Sequence, residues 1–351
     1  MRIVAYCRGG FEPEAAADLR RAAARIGESV DIAGTPLQGF VIATTGLTDP
    51  GAWHRAFTDA PPIFARTVFA GQGPFIIAQA DSKTRADRVT PLLRAIGDTC
   101  KPPWRSVWIE YPDTNEGKAL STLARALTAR IEPALRESLR PDAITRLRIF
   151  LLDGTTAYVG ESDARIADWA LGIPRLRMPP GAPSRSTLKL AEAFAVFLGE
   201  RAGELLRPGM HAVDLGAAPG GWTWQLAQRG LHVTAVDNGP LKGSIRDDAL
   251  VRHVPDDAFR FAPRRPVDWL VCDVVEQPVR IADLVGRWIG GGLARRAIFN
   301  LKLPMKKRYD EVRLCEQHIA AAMRDTPFTL ALRQLYHDRE EVTGYLSVAT
   351  R

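Results

Sequence analysis

The residues with the clearest chemical potential lie in Asp214-Leu215-Gly216-Ala217-Ala218-Pro219-Gly220-Gly221-Trp222, where an apolar run ends in an acid and then a glycine-rich turn. Glycines let a backbone approach a ligand closely and leave the N-terminus of the following helix facing it. The spacing is not G-x-G-x-x-G, and an acid ahead of the glycines repels a pyrophosphate, so a dinucleotide is disfavoured. A second apolar run ends Ala235-Val236-Asp237, placing a carboxylate where a ribose diol can be held. The two acids together suit S-adenosylmethionine, which carries a positive sulfonium, a positive amino group and two ribose hydroxyls. An ordinary strand-to-helix turn is the plain alternative.

Two further residues sit where a parallel sheet would present them. Asp273 follows the apolar run Trp269 to Cys272, and Lys302 follows Ile298 to Leu301, so both belong at the C-terminal sheet edge where such folds bind ligands. A lysine that removes a proton must first be neutral, which requires burial or a neighbouring cation to pull its pKa down. Cys272 reads as a buried strand residue, and His253 and His337 as surface or structural residues. The four cysteines, Cys7, Cys100, Cys272 and Cys315, have neither zinc-ligand nor disulfide spacing, so no metal is expected.

The elements that must position these residues fall into two patterns. Residues 1–60 read as a strand (2–7), a helix (11–25) and a strand (40–44); residues 61–170 as strands at 63–70 and 107–111, a helix near 118–140, and a hairpin (145–152 with 155–160) across Asp153-Gly154. The proline-rich stretch around 171–185 marks a linker. Beyond it, 186–351 alternates strands with helices: a helix at 186–201, strands at 211–215, 232–236, 269–272 and 297–301, and a terminal hairpin. That alternation predicts a mostly parallel, doubly wound sheet.

Composition excludes other classes. With 46% hydrophobic and 25% charged residues the 351-residue chain can bury large cores, and no apolar run is long enough to span a bilayer. A net charge of +7 favours a polyanionic partner. Arg175, Arg177, Arg185, Lys306, Lys307 and Arg308 are the candidate phosphate contacts, with Arg333 and Arg339 extending them, and Trp104, Trp108 and Tyr111 are either base-stacking or core aromatics.

Ser184 to Leu190, the loop 214–222, Val271-Cys272-Asp273, Asn300 to Arg308 and Tyr336 to Thr343 resemble the FtsJ-type ribose 2'-O-methyltransferases, and within them the bacterial enzymes that methylate a cytidine ribose of 23S ribosomal RNA. Cys7 to Glu12 and Tyr111 to Lys118 resemble the N-terminal region of those enzymes. The resemblance implies a Rossmann-like class I methyltransferase domain at 186–351, preceded by a ferredoxin-like piece (1–60) and a THUMP-type RNA-binding domain (61–170). It implies a Lys-Asp-Lys-Glu tetrad at Lys189, Asp273, Lys302 and Glu341, chosen over Glu340; within it the chemistry of a lysine base assigns Lys302 as base and Lys189 as the cation depressing it. It implies cofactor contacts at Ser186, Ala218, Pro219, Gly220, Gly221, Asp237, Asp257 and Asp273, to which the loop adds Asp214, Gly216 and Trp222. The substrate would be protein-free or partly assembled 23S RNA, met by a cytoplasmic monomer. Two rival readings stand beside it: a base-directed RNA methyltransferase, although the Pro-Pro-aromatic signature and a positioned cysteine are missing, and a noncatalytic RNA-binding assembly factor.

Overall fold

Apolar runs in the first half of the chain build a sheet that is antiparallel except at one edge. The computed structural model describes residues 1–33, 37–78, 87–165, 169–324 and 326–349. It divides into two units, Met1–Ile173 and Pro174–Arg351. In the first, β1 (Arg2–Tyr6), α1 (Glu12–Arg25), β2 (Asp31–Ala33), β3 (Phe40–Thr44), α2 (Pro50–Asp59), β4 (Thr67–Ile76), α3 (Val89–Thr99), β5 (Val107–Glu110), α4 (Ser121–Ala134), β6 (Thr145–Leu151) and β7 (Thr156–Asp163) follow in order. The strands lie as β2-β3-β1-β4-β7-β6-β5, so residues 1–60 and 61–170 share one sheet, with β1 pairing with β3 on one side and β4 on the other.

Several boundaries differ from the sequence expectation for local reasons. Residues 63–66 are not strand because the Asp18 carboxylate accepts the backbone N–H groups of Phe64 at 2.6 Å and Ala65 at 3.2 Å; β4 begins at Thr67 and runs on to Ile76. Asp49 caps α2, a helix absent from the sequence expectation, by accepting from Gly51 N at 2.8 Å. α4 stops at Ala134, one residue beyond Pro133, well short of Arg140. Trp104 is core, and half-buried Trp108 lies beneath the guanidinium groups of Arg146 and Arg148, 4.2 and 4.9 Å from its ring centroid. Glu110, itself buried, accepts from Arg148 at 2.7 Å and Tyr6 at 3.0 Å, so the charge carried into this core is paired.

The second unit comprises α5 (Thr187–Ala193), α6 (Ala202–Leu205), β8 (His211–Leu215), α7 (Gly221–Ala227), β9 (His232–Val236), β10 (Val251–Val254), β11 (Val267–Cys272), α8 (Pro278–Gly290), β12 (Ala294–Lys302), α9 (Arg308–Met323), β13 (Phe328–Arg333) and β14 (Glu341–Val348). The sheet order is β10-β9-β8-β11-β12-β14-β13, parallel from β10 through β12, with β14 antiparallel between β12 and β13. Numbered within this unit the order is 3-2-1-4-5-7-6, the class I methyltransferase fold. The helix expected at 186–201 is interrupted: α5 ends at Ala193, a wide turn fills 194–198, and Gly199 takes a positive φ. No described helix is long and apolar enough to cross a membrane.

Candidate active site

The parallel strands of the second unit all end at one edge, and four side chains converge there from separate elements. Asp273 directly follows β11, Lys302 closes β12, Glu341 opens β14 and Lys189 lies on α5. Lys302 and Glu341 are register partners across the β12–β14 ladder, so the antiparallel pairing itself brings ammonium and carboxylate together. Glu341 Oε2 accepts from Lys189 Nζ at 2.6 Å and lies 3.1 Å from Lys302 Nζ, which also donates to Asp273 Oδ1. Glu341, rather than Glu340, therefore stands between the lysines; Glu340 pairs with Arg308 at 3.3 Å. All four side chains are largely buried, which strengthens these contacts relative to a surface pair.

Beneath this layer, on the same face two residues along each strand, Asn300 faces Thr343. The Asn300 amide donates to Asp273 Oδ1 at 2.9 Å and to Glu341 Oε2 at 3.0 Å, linking the two carboxylates. The sequence reading places Asn300 at the head of a motif without giving it a role, although a polar Asn inside the apolar run Ala297 to Leu301 was the available signal.

The expectation that Lys189 depresses Lys302 is corrected here. Burial pulls the Lys302 ammonium down, but Asp273 and Glu341 outweigh it, and its pKa is raised above the ordinary lysine value. Lys189 is itself neutralised by Glu341, so little of its charge is left to act on its neighbour.

The glycine-rich loop lies on the same edge. Gly220, at φ +112°, caps α7 in a conformation that L side chains rarely adopt. At Gly221 a Cβ would lie 2.3 Å from Ser186 Oγ and 2.5 Å from Ser184 Oγ, so this glycine admits the serine pair. Those two hydroxyls are bonded to each other at 2.6 Å. Trp222 packs in the core and donates from its indole N–H to the Ser186 carbonyl at 3.1 Å, so it holds α5 against α7 instead of lining an open surface. Asp237 accepts from Ala218 N at 3.0 Å and Gly239 N at 2.7 Å, clasping the loop that also contains Gly216 and Pro219. Asp257 is exposed in the turn beyond β10, where it accepts from Phe259 N at 2.7 Å.

Asp214 is fully buried and bonded to Thr223 at 2.6 Å, while its Oδ1 has no hydrogen-bond partner among the described residues. Burial pushes its carboxyl up to about 7, and the negative charges of Asp273 and Asp237 act in the same direction against the Thr223 bond. Three carboxylates gathered around one loop repel one another, and a cationic ligand relieves that repulsion where an anionic one would add to it. The residues therefore fit a positively charged cofactor.

The candidate phosphate contacts are not equivalent. Arg175, Arg177, Arg185, Lys306 and Lys307 are exposed, whereas Arg308 is largely buried against Glu340. The Cys272 thiol is pushed up to about 12 by burial and cannot serve as a nucleophile. His337 Nδ1 lies 2.6 Å from the buried Glu192, a structural contact, and among the described residues no His, Cys, Asp and Glu cluster could hold a metal ion.

Residues 182–324 match the FtsJ-like methyltransferase family, and residues 87–163 match the N-terminal region of ribosomal RNA large subunit methyltransferase M. The ribosomal RNA large subunit methyltransferase M of Xylella fastidiosa (strain 9a5c) is 45% identical over 353 residues, covering 98% of each chain. That of Laribacter hongkongensis (strain HLHK9) is 54% identical over 267 residues, covering 74% of this chain and 75% of the relative. Among solved structures, that of TrmN from Thermus thermophilus aligns over 99% of each chain at 14% identity with a TM-score of 0.37. With near-complete coverage at this identity, the chain belongs to the ribosomal RNA large subunit methyltransferase M family.

Proposed function

We propose that this chain transfers a methyl group from S-adenosylmethionine to a cytidine ribose 2'-hydroxyl of 23S ribosomal RNA, and that it acts on protein-free or partly assembled RNA. The observation carrying this reading is the charge-balanced cluster of Lys189, Asp273, Lys302 and Glu341 at the same sheet edge as the carboxylate-rimmed loop. When bound, the sulfonium supplies the electrophilic methyl. Asp214, Asp237 and Asp273 offer the negative surroundings for that cation, while Gly220 and Gly221 keep the loop close. Lys302 Nζ receives the 2'-hydroxyl proton as the O–C bond forms and the S–C bond breaks, leaving a neutral thioether, a methylated ribose and an ammonium. Lys302 is cationic in the present charge arrangement. It becomes a competent base to the extent that positive charge on the Asp273 side offsets the two carboxylates. Lys189 and Glu341 hold the ribose and the lysine in register.

The first unit serves as the THUMP-type RNA-binding part, and the exposed Lys306 and Lys307 steer phosphates toward the edge. The protein works as a cytoplasmic monomer. A mass-spectrometric map of large-subunit RNA from cells with and without this gene tests the reading: one missing 2'-O-methyl cytidine is expected, and a missing base methyl would establish the base-directed alternative. Lys302→Arg keeps the charge but cannot release its proton, so it is expected to bind cofactor and RNA without transfer. Near-parent transfer by that variant would reduce Lys302 to electrostatic positioning.

A further inference from the structure

Hydrogen counting beneath the lysines leads to an acid that the reaction itself does not use. Asn300, Thr343 and Asp338 are all fully buried. The two Asn300 amide hydrogens go to Asp273 and Glu341, so its carbonyl oxygen faces Thr343 Oγ1, 2.8 Å away, and takes the only hydroxyl hydrogen that threonine has. The reverse amide orientation would press a carbonyl oxygen against two carboxylates. Yet Thr343 Oγ1 also lies 2.8 Å from Asp338 Oδ2. An ionised carboxylate has no hydrogen to give, and two lone pairs at this distance repel. The chain of bonds closes only when Asp338 Oδ2 carries the hydrogen, which still leaves that oxygen a lone pair to accept Leu335 N–H at 3.1 Å.

We propose that Asp338 is a positioning residue held as the neutral acid, its proton ordering Thr343 and, through it, the Asn300 amide that spaces Asp273 from Glu341. The inference rests on the functional reading above for what is being positioned. Burial pushes the Asp338 carboxyl up to about 8; Glu341 on β14 adds to this, while the bond accepted from Leu335 N–H and the charge of Lys189 on α5 oppose it. Two further titratable groups nearby, His337 beside it in the loop and Glu192 on α5, are bonded to each other at 2.6 Å. Ionisation of Asp338 would bring a second negative charge toward Glu341 and turn Thr343 away from Asn300, so the spacing of the two carboxylates would no longer be fixed.

The test uses the full chain with S-adenosylmethionine and an unmodified 23S RNA transcript. Isotope-edited infrared spectra at pH 7 should show a protonated carboxyl band in the parent that Asp338→Asn lacks, over the Asp214 contribution common to both. Thr343→Val and Asp338→Ala should each lower kcat at least tenfold with the RNA KM unchanged. Thr343→Ser and Asp338→Asn, which can still donate along the chain, should recover most of that loss. The parent rate should bend over above pH about 8, and that of Asp338→Asn should not. A parent lacking the band, or Thr343→Val with the parent kcat, would overturn the proposal. Should Asp338→Asn fail to fold, loss of a protonated carboxyl band on titration through pH 8 in Asp214→Asn, which removes the other raised acid, together with the Thr343 pair, decides the same question. Methyl groups found on a base would overturn the functional reading alone, because the band and the kcat comparison still judge Asp338.

Discussion

Lys302→Met isolates the charge balance of the cluster. Methionine has nearly the length of lysine, so the substitution removes one positive charge while leaving Asp273, Glu341 and Lys189 in place. The pairs it breaks are shielded, with side-chain exposures of 21% for Lys302, 16% for Asp273 and 14% for Glu341. Removing one partner of such a pair costs roughly 3–5 kcal/mol. Glu341 retains Lys189 and Asn300, so the lower end, about 3 kcal/mol, applies. At about 1.4 kcal/mol per tenfold, amide protection should fall by about two orders of magnitude. Hydrogen-exchange mass spectrometry on peptides covering 294–302 and 341–348 at pH 8 reads this locally. Lys302→Arg keeps the charge and should keep the protection. If Lys302→Met is as protected as the parent at pH 8, the lysine is not what holds the two carboxylates together, and the argument for a balanced cluster fails.

Asp237→Ala removes the acceptor for Ala218 N and Gly239 N and should weaken S-adenosylmethionine binding by about 1.5–3 kcal/mol in calorimetry; unchanged affinity would move the cofactor site elsewhere. Lys306→Gln and Lys307→Gln should each reduce the slope of log affinity for RNA against log salt by about 1, and Arg308→Gln by less because Glu340 already neutralises it; equal effects would contradict the observed pairing. Asp214 and Asp338 have folded pKa values of about 7 and about 8, above the unfolded carboxylate value near 4. The folded state therefore binds more protons in that window, and stability should fall as pH rises through it, by at most about 1.4 kcal/mol per pH unit for each group. Urea midpoints that rise from pH 5 to pH 8 would refute the assignment.

Legibility in the sequence followed the physics of burial. β8 and β9 were readable to the residue because His211 to Leu215 and His232 to Val236 are nearly continuous apolar runs, as central parallel strands must be. β10 was not, since it sits at the sheet edge with Arg252 and His253 exposed and carries no apolar period. Lys302 and Asp273 could be placed from the strand ends they follow. The sign of the Lys302 shift could not, because it depends on two carboxylates outweighing burial, which only their distances decide. Thr343 and Asp338 lay within a motif already recognised, but a sequence shows neither the register that sets Thr343 opposite Asn300 nor the count of hydrogens between them.

The grip of α5 on the loop before β14 has a consequence for dissecting the enzyme. Lys189 holds Glu341, and one turn later Glu192 accepts the backbone N–H groups of Tyr336 at 2.8 Å and His337 at 2.9 Å. One short helix thus anchors both ends of the segment 336–341. A minimal catalytic fragment begun at the first strand, His211, would keep the whole sheet, the glycine-rich loop and three of the four clustered residues. It would release the loop that carries Asp338 and ends at Glu341. Any functional truncation, chimera or circular permutant must therefore carry residues from Ser184 onward as part of the catalytic unit.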